Sequence, residues 1–514
     1  MANFTPDDAS GLRLAIQNAT IGSTVLLTTG QTYSSITTLA KFTCYTPLTR
    51  TSNYTIDGNG GPSRSTVIEN TRIYQQNIDG NLPPSTGVKN LTLNYTTGNT
   101  AILAATKGSY SIDNIKITGT HSGWAGNGGV YMSLIAPTAS TNTNWITANL
   151  NLSNSLVEFT SNTQSDNASF LQSWNNNGTV TLNNNTFKEA GYNRGTFHFA
   201  SMLTDGAASP ISSNLYTITK NTFEGSGTNK AKGNRLESVK ASVRGNTFNN
   251  GSFLDLYGNV ANIVIDTLNN VTPNTFNTVY GASSTDRGCG VRFNKSSSSG
   301  ATLSGTASTT FKLNNGVFTG YGLAIINNDS ANGSVVIPNG GNNSITAGNL
   351  AAVTFDMLEA GGQGDDSLVG SAFPDWLSGD SGADSISAND GDDYIIGGFG
   401  SDSLTGGNGS DTFLYYDTNE GGDTITDFTT ASDFLAFRGN TSGGSTFFNF
   451  APSASLTTGT NFITSGSPGT TGPTFIYIGG VLSYDADGSG GGAAVNIATF
   501  TGSPTIAASD IKFF

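Results

Sequence analysis

Apolar and polar positions follow one recurring frame between residues 150 and 318. The frame is apolar, any residue, apolar, any two residues, small polar, any residue, apolar. The first apolar pair predicts a short strand with one buried face, the polar residue predicts a bend, and the last apolar residue begins the next strand. The copies are Leu150, Leu152, Ser155, Val157; Val180, Leu182, Asn185, Phe187; Tyr216, Ile218, Asn221, Phe223; Ala241, Val243, Asn246, Phe248; and Phe311, Leu313, Gly316, Phe318.

The spacing of these copies indicates the architecture. The first four begin at Leu150, Val180, Tyr216 and Ala241, and these intervals suit one coil of a three-sided parallel β-helix. The fifth begins only at Phe311, and the longer interval before it predicts two or three less regular coils. Asparagine suits the bend because its short amide tolerates left-handed backbone and can bond the backbone or the equivalent amide one coil above. We therefore expect a ladder of stacked asparagine side chains.

The first coil of such a helix exposes an open strand edge and needs a cap. Thr5-Pro6-Asp7-Asp8 has the signature of a helix start, with Pro at the first helical position and acidic residues in the first turn. Leu12, Ala15, Ile16 and Ala19 follow on one face. The sequence predicts an N-terminal capping helix, followed by strand segments at Val25-Leu26-Leu27 and Gly30-Gln31-Thr32-Tyr33.

A second and stricter repeat runs from Gly361 to Leu414 as six nonapeptides in unbroken register. Such a repeat predicts a coil of short parallel strands in which every block supplies one turn and one strand, with the eighth residue pointing inward. The sixth position is always aspartate and the eighth is always apolar. The aspartates are Asp366, Asp375, Asp384, Asp393, Asp402 and Asp411, and the apolar residues are Leu368, Leu377, Ile386, Ile395, Leu404 and Phe413.

This repeat has the composition of a calcium site. Ca²⁺ takes several oxygen ligands in flexible geometry, and glycine-rich turns present backbone carbonyls to which aspartate adds charge. The second block, Gly370 to Ser378, lacks the central glycines. Asp485-Ala486-Asp487-Gly488 adds a further pair of carboxylates near the C-terminus. The expected ligand residues are Gly364, Asp366, Asp375, Gly382, Asp384, Gly391, Asp393, Gly400, Asp402, Gly409, Asp411, Asp485 and Asp487.

Charge is distributed unevenly along the chain. Residues 1 to 350 hold 20 Lys and Arg against 16 Asp and Glu, whereas residues 351 to 514 hold 2 against 20. The acidic part repels itself, so we expect it to need bound cations to fold. An acidic tail that binds nothing would have irregular spacing and little glycine.

The nonapeptide run resembles the calcium-binding repeat of RTX proteins. The segments Gly422 to Phe428 and Asp433 to Phe437 look like the closing segment of calcium rolls, and Thr474 to Phe514 resembles the terminal domain of RTX proteins exported by type I secretion. The resemblance implies an uncleaved C-terminal export signal, the type I secretion machinery as a partner, and a secreted, extracellular or cell-surface location in a Gram-negative bacterium such as a cyanobacterium. Met1-Ala2-Asn3-Phe4-Thr5 has neither the basic nor the apolar region of a Sec signal.

The coil in the first two thirds resembles pectate-lyase-like right-handed β-helices in architecture. Alginate epimerases join a β-helix to RTX modules, but their signature Tyr-Gly-Phe-Asp-Pro-His is missing, and Tyr321-Gly322-Leu323 lacks its Asp and His. The segment Tyr192 to Phe199 offers Arg194 for a uronate carboxylate and His198 or Tyr192 for proton exchange. Because Phe197 and Phe199 flank it, His198 most simply lies on the solvent or loop face of a strand. No catalytic residue is therefore assigned.

Other classes of function receive less support from the sequence. The basic residues Lys230, Lys232, Arg235, Lys240 and Arg244 lack duplex-binding motifs and stacking aromatics, so nucleic acid is not expected as a partner. No apolar run is long enough to span a membrane. Contact with acidic glycans or with the acidic C-terminal part of the chain is more plausible.

These observations lead to one expected organisation. The fold is all-β: a right-handed parallel β-helix with a capping helix over 1–345, a calcium-binding β-roll over 346–437, and a β-rich secretion domain over 438–514. A slightly basic rod that precedes an acidic module favours head-to-tail association of copies of the chain into a filament or sheet. RTX proteins without catalytic motifs resemble surface-layer and surface-fibril proteins. The alternatives are a polysaccharide lyase or epimerase that acts on acidic glycans, and an adhesin that binds cell-surface polysaccharide.

Overall fold

The computed structural model describes the C-terminal part of the chain almost continuously and the rest in shorter stretches. The described residues are 3–4, 23–29, 31–33, 54–59, 64–69, 74–75, 86–95, 101–105, 107–121, 131–134, 146–161, 169–188, 195–201, 215–225, 233–257, 263–266, 268–269, 271–278, 289–294, 312–313, 317–320, 323–327, 335–337, 343–347, 353–355, 357–439 and 448–514. The chain forms two compact units. Unit 1 comprises residues 1–276, 296–305 and 309–311, and unit 2 comprises 277–295, 306–308 and 312–514.

Unit 1 is a coil of short parallel strands arranged in three sheets. Sheet 1 contains Asn3–Phe4, Ser23–Leu26, Tyr54–Asp57, Thr86–Lys89, Lys107–Asp113, Thr147–Ser153, Val180–Asn183, Leu215–Thr219, Lys240–Arg244 and Ile263–Asp266. Sheet 2 contains Thr32–Tyr33, Val67–Glu69, Thr92–Tyr95, Lys116–His121, Leu156–Ser161, Thr186–Lys188, Thr222–Glu224, Thr247–Asn249 and Thr275–Thr278. Sheet 3 contains Tyr74–Gln75, Ala101–Ala104, Tyr131–Leu134, Leu171–Trp174, Phe197–Ala200, Asn234–Glu237 and Leu254–Tyr257.

The recurring frame sets the register of the coils. Leu150, Val180, Tyr216 and Ala241 are direct partners in successive strands of sheet 1, and Ile263 adds a rung that the spacing did not locate. All five side chains are buried. The predicted parallel β-helix architecture is confirmed. Of the fifth copy of the frame, the first apolar residue and the bend glycine lie outside the described residues.

The predicted ladder runs through Ser155, Asn185, Asn221, Asn246 and Asn274, all of them buried. At each step a side-chain oxygen accepts a hydrogen bond from the backbone N–H of the member one coil earlier, at 2.9 to 3.0 Å. Each asparagine also donates its amide N–H to a backbone carbonyl of the earlier coil, at 2.8 to 3.0 Å. The ladder thus pairs buried polar groups at the bend without using any charge.

The sequence suggested that the ladder asparagine itself adopts the left-handed backbone conformation of the bend. In the structure it does not. The left-handed residue is the one immediately before it: Asn154, Asn184, Lys220 and Gly245 have φ of 51°, 57°, 55° and 62°. This division of roles leaves the ladder amide free to turn inward while its neighbour makes the turn. Beside the ladder, the rings of Phe187, Phe223, Phe248 and Phe276 stack with centroids 4.8 to 5.3 Å apart.

The start of the chain differs from the expectation in one respect. Asn3–Phe4 forms a strand that pairs in parallel with Ser23–Leu26, before the segments that were expected to begin the coil. The predicted capping helix, from Thr5 to Ala19, lies outside the described residues. Within the described part of the chain, no helix is long and apolar enough to cross a membrane.

Unit 2 is also built from strands, with two short 3-10 turns at Thr418–Glu420 and Ala508–Asp510. Its first strands are Cys289–Asn294, Lys312–Leu313, Val317–Gly320, Leu323–Asn327, Val335–Ile337, Asn343–Ala347 and Val353–Phe355. Roll sheet A contains Ser367–Val369, Ser385–Ser387, Ser403–Thr405, Asp423–Ile425, Val495–Phe500, Val481–Asp485, Thr474–Ile478 and Phe462–Ile463. Roll sheet B contains Met357–Gln363, Asp375–Ser381, Tyr394–Phe399, Thr412–Tyr415, Phe434–Phe437 and Ile511–Phe513.

Two nonapeptides make one coil of the roll. Leu368 pairs with Ile386 and Ile386 with Leu404 in roll sheet A, so each strand pairs with the strand two blocks later. Ile395 and Phe413 are partners in roll sheet B. Alternate nonapeptides therefore supply alternate sheets, and all six eighth-position residues are at most 1 % exposed. The predicted calcium-roll architecture of one strand per block, with the eighth residue inward, is confirmed.

The segment after residue 437 continues the same two sheets. Val495–Phe500 pairs in parallel with Asp423–Ile425, and Ile511–Phe513 pairs in parallel with Phe434–Phe437. The ring of Phe437 lies 4.7 Å from those of Phe448 and Phe475. The last strands thus share a hydrophobic core with the repeats.

The asparagine ladder generates a stability prediction. Asn221→Ala removes the acceptor of the Asn185 backbone N–H and leaves a cavity, so the free energy of unfolding of the β-helix should fall by roughly 2–4 kcal/mol. Denaturant unfolding followed by circular dichroism measures the loss. Asn151→Ala, at an exposed position of a sheet 1 strand, is the matched control and should change stability by less than about 0.5 kcal/mol. Equal effects of the two changes would contradict a structural role for the ladder.

Candidate metal centre

The sixth-position aspartates form two ladders, one on each side of the roll. Each backbone N–H donates to the Oδ1 atom of the aspartate in the next coil, at 2.8 to 3.1 Å. The arrangement parallels the asparagine ladder, but every rung carries a carboxylate. One ladder runs through Asp366, Asp384, Asp402 and Asp423, and the other through Asp375, Asp393, Asp411 and Asp433.

The second carboxylate oxygen of several rungs lacks a protein partner. Oδ2 of Asp384, Asp393 and Asp411 is buried and makes no hydrogen bond, and these residues are at most 2 % exposed. A buried carboxylate oxygen without a donor costs several kcal/mol unless a proton or a cation compensates it. These oxygens therefore fit a bound cation.

Glycines bring the backbone close to these carboxylates. A Cβ atom at Gly379, Gly397 or Gly406, the first residue of its block, would overlap Oδ2 of the aspartate in the same block. The fourth-position glycines Gly382 and Gly400 have φ of 140° and 142°, a conformation that residues with a Cβ rarely adopt. A Cβ there would overlap the carbonyl oxygen of the corresponding residue one coil earlier. The cradle is thus lined by carboxylate and carbonyl oxygens, as Ca²⁺ prefers.

Burial gives these carboxyl groups unusual proton affinities. It raises the pKa of Asp384 and Asp411 to about 7 and that of Asp393 to about 8. Like charges in adjacent coils, such as Asp402 beside Asp384 and Asp411 beside Asp393, raise the pKa further. The roll therefore holds mutually repelling carboxylates, for which a divalent cation supplies the missing positive charge.

Side chains alone do not complete a coordination shell. Among the described residues, no group of three or more His, Cys, Asp or Glu side chains is arranged to hold a metal ion. This agrees with a site in which one carboxylate per block is joined by backbone carbonyls. The residues that would hold Ca²⁺ are the fourth-position glycines Gly364, Gly382, Gly391, Gly400 and Gly409 together with the sixth-position aspartates of the six nonapeptides, and the ion would supply charge neutralisation between coils.

The second block differs from the others, in line with its missing glycines. Asp375 accepts hydrogen bonds from the backbone N–H and the hydroxyl of Ser371, so both of its oxygens are engaged within the block. Phe373 occupies the fourth position and is 62 % exposed. The chemistry expected of a calcium ligand is therefore weakest at Asp375.

Asp485 and Asp487 lie outside both ladders. Oδ1 of Asp485 accepts hydrogen bonds from the backbone N–H groups of Asp487 and Gly488, at 3.2 and 2.9 Å. Oδ2 of Asp487 accepts one from Gly492 at 3.0 Å. The two carboxylates shape a turn after the strand Val481–Asp485, and their role as calcium ligands stays a prediction.

Sequence reasoning missed three acidic residues of the roll. Asp423 and Asp433 continue the ladders beyond the sixth block, and Asp427 accepts hydrogen bonds from the N–H groups of Gly406 and Gly407 at 2.9 and 2.8 Å. The signal that could have found Asp423 and Asp433 is an aspartate directly before a new apolar strand. The nine-residue spacing hid them because it ends at Asp411.

A separate group of charged side chains lies on the outer face of sheet 3. His198 Nε2 is 3.2 Å from Glu237 Oε2, and Arg235 lies 3.8 Å from both Glu237 and Asp255. The Arg235 guanidinium also stands 3.6 Å above the ring of Tyr257. His198 is on the face opposite Phe197 and Phe199, as expected, but it is only 1 % exposed. Its partners come from later coils, and Tyr192 and Arg194 lie outside the described residues.

The raised proton affinities predict an unusual pH dependence. An aspartate in an unfolded chain has a pKa of about 3.9, whereas burial in the folded calcium-free roll raises the pKa of Asp384 and Asp411 to about 7 and that of Asp393 to about 8. The folded roll therefore binds more protons than the unfolded chain between these values, and its stability should rise as the pH falls from about 8.5 to 5.5. Thermal unfolding in chelator, followed by circular dichroism, measures this. A calcium-free roll that loses stability over the same fall in pH would contradict it.

Comparison with known proteins bears on this site directly. A model of the RTX calcium-binding nonapeptide repeat, in four copies, matches residues 360–394 and 387–415. No curated protein matches the chain. The matched range covers the glycine turns and the ladder aspartates from Asp366 to Asp411. RTX nonapeptide repeats bind calcium, and residues 360–415 of this chain match the model of that repeat.

Proposed function

We propose that this protein is a secreted, calcium-stabilised structural protein that assembles head to tail into an extracellular filament or surface layer. The observation that carries the proposal is the division of charge: 2 basic against 20 acidic residues after residue 350, and 20 against 16 before it. Head-to-tail contacts between unlike surfaces of identical copies propagate into a filament unless the rotation between copies closes them into a ring. Calcium supports such contacts because it reduces the self-repulsion of the acidic part.

Calcium dependence also suits an exported protein. RTX repeats are typical of proteins that Gram-negative bacteria secrete. The roll concentrates carboxylates, and without cations their mutual repulsion opposes folding. The chain would therefore stay unfolded in this region where calcium is scarce and fold where it is abundant. This favours export through a type I system with the signal in residues 438–514, followed by folding outside the cell. We propose the surface of a Gram-negative cell, such as a cyanobacterium, as the location of the assembled protein.

One observation favours a second function, in which the β-helix binds or modifies a cell-surface polysaccharide. On the face of sheet 3 opposite Phe197, a histidine, an arginine and two carboxylates lie 3.2 to 3.8 Å apart with side chains at most 3 % exposed, so a sugar would reach them only if that face opened. Such groups can bind sugar hydroxyls or a uronate carboxylate and can exchange protons. Release of unsaturated uronate by the purified protein, or polysaccharide binding that Glu237→Gln abolishes, would favour a lyase, an epimerase or an adhesin.

The ladder carboxylates generate a first test. Asp393→Asn keeps the Oδ1 acceptor for the Asp375 backbone N–H but removes the charge, and combined with Asp402→Asn it should raise the calcium concentration needed to fold the roll roughly tenfold or more. Calcium titration followed by circular dichroism measures the midpoint. Asp392→Asn is the matched control, because this neighbour is exposed and its Oδ1 accepts a hydrogen bond from Ser410. An unchanged midpoint in the double variant would rule out these aspartates as ligands.

Assembly is tested by electron microscopy of the full chain at millimolar calcium and after chelation, at matched concentration. Fibres or sheets that form only with calcium are the expected result. The double variant Asp393→Asn and Asp402→Asn should need more calcium to form them. Dispersed single particles under both conditions would refute self-assembly and turn attention to the charged face of sheet 3.

A further inference from the structure

The two aspartate ladders end differently beyond the matched repeats. Asp433 closes its ladder with both oxygens engaged: Oδ1 accepts from the Asp411 backbone N–H at 3.1 Å and Oδ2 from that of Thr429 at 2.7 Å. Asp423 closes the other ladder with only one carboxylate oxygen engaged in a hydrogen bond. Its Oδ1 accepts from the Asp402 backbone N–H at 3.0 Å, whereas Oδ2 is buried without a hydrogen bond.

The surroundings of Asp423 add to its need for a cation. The residue is 0 % exposed, and the carboxylates of Asp402 and Glu420 act on it electrostatically. Glu420 is also 0 % exposed, and its Oε2 accepts a hydrogen bond from the Tyr416 backbone N–H at 2.6 Å. The hydroxyl of Tyr415 lies close enough to the Asp423 carboxylate to lower its pKa as a hydrogen-bonding neighbour, but the two groups do not meet the geometry of a hydrogen bond. Burying several like charges together is strongly unfavourable unless a positive charge joins them.

The local chain explains how this site arose outside the repeat. The interval from Asp411 to Asp423 is longer than one nonapeptide, and the longer connection contains the 3-10 turn Thr418–Glu420. The backbone of Asp417 and the following residues turns there, and this brings Glu420 inward. The insertion therefore adds a second carboxylate that acts electrostatically on Asp423, just before the glycine pair Gly421 and Gly422 that precedes it.

We propose that Asp423 and Glu420 bind an additional Ca²⁺ beyond the six nonapeptides, with backbone oxygens completing the shell. The ligand oxygen contributed by Asp423 is Oδ2, which corresponds to the unbonded oxygens of Asp384, Asp393 and Asp411. Hard carboxylate oxygens select Ca²⁺ over softer metals. This site does not depend on self-assembly and can exist in a monomer.

The position of this site gives it a particular role. The strand Asp423–Ile425 pairs with Ser403–Thr405 of the fifth block on one side and with Val495–Phe500 on the other. An ion held at its first residue therefore lies where the repeats join the C-terminal strands. Calcium binding there would stabilise the docking of the last strands onto the roll.

Calcium stoichiometry of the full chain tests the proposal. Equilibrium dialysis with radioactive calcium should give about one ion fewer for Asp423→Asn than for the natural sequence. Asp433→Asn is the matched control, since it occupies the same ladder position with both oxygens already bonded, and should leave the number unchanged. Glu420→Gln retains an acceptor for the Tyr416 backbone N–H and should weaken one site roughly tenfold. Circular dichroism at saturating calcium establishes that each variant is folded.

Two outcomes would overturn the proposal. One is an equal number of bound ions in Asp423→Asn and Asp433→Asn, which would mean that Asp423 is compensated by a proton, with Tyr415 as its hydrogen-bond donor. The other is a Glu420→Gln variant with unaltered affinity at every site. If Asp423→Asn fails to fold even at saturating calcium, the affinity of Glu420→Gln decides. None of these calcium-binding measurements depends on whether the protein forms fibres.

Discussion

The structure depends on how a stack of parallel coils pairs the backbone N–H group that each bend turns inward. Strand pairing satisfies the backbone hydrogen-bonding groups within the sheets. At the corners the chain leaves the sheet, and its backbone N–H group needs another acceptor. Both units solve this with one side chain per coil whose oxygen accepts from the coil before it. Asparagine does so from Asn185 to Asn274 in the β-helix, and aspartate does so from Asp384 to Asp433 on the two sides of the roll.

The difference between an amide and a carboxylate separates the behaviour of the two ladders. An asparagine has an oxygen to accept and an N–H to donate, so each rung bonds both the next side chain and an earlier carbonyl. A carboxylate has only acceptors, so the second oxygen of Asp384, Asp393 or Asp411 is left without a donor. The asparagine ladder is thus satisfied by its own atoms, whereas the aspartate ladders leave carboxylate oxygens that a bound cation would satisfy. In the proposed function, this dependence on calcium would couple folding of the roll to the calcium concentration outside the cell.

The regular parts of both ladders could be predicted from the sequence because they follow strict spacing. The apolar frame located the strands and the ladder positions, and the nonapeptide register located six aspartates and the inward eighth residues. Residues outside strict spacing were missed. Asn274 follows an irregular coil, and Asp423 follows a longer connection. The pairing of His198 with Glu237 joins residues 39 positions apart and depends on coil lengths that vary. The left-handed residue before each ladder position was also missed, because Asn154, Asn184, Lys220 and Gly245 share a conformation but not a side chain.

The central claim is that the asparagine ladder stands by itself and the aspartate ladders depend on calcium. Hydrogen–deuterium exchange of the full chain, with calcium and with chelator, tests it at the level of peptides. The account predicts that peptides from 366 to 433 lose most of their protection in chelator, while peptides from 150 to 257 exchange equally slowly in both conditions. Protection of the roll that persists in chelator, or a loss of protection that is equal in the two regions, would contradict it.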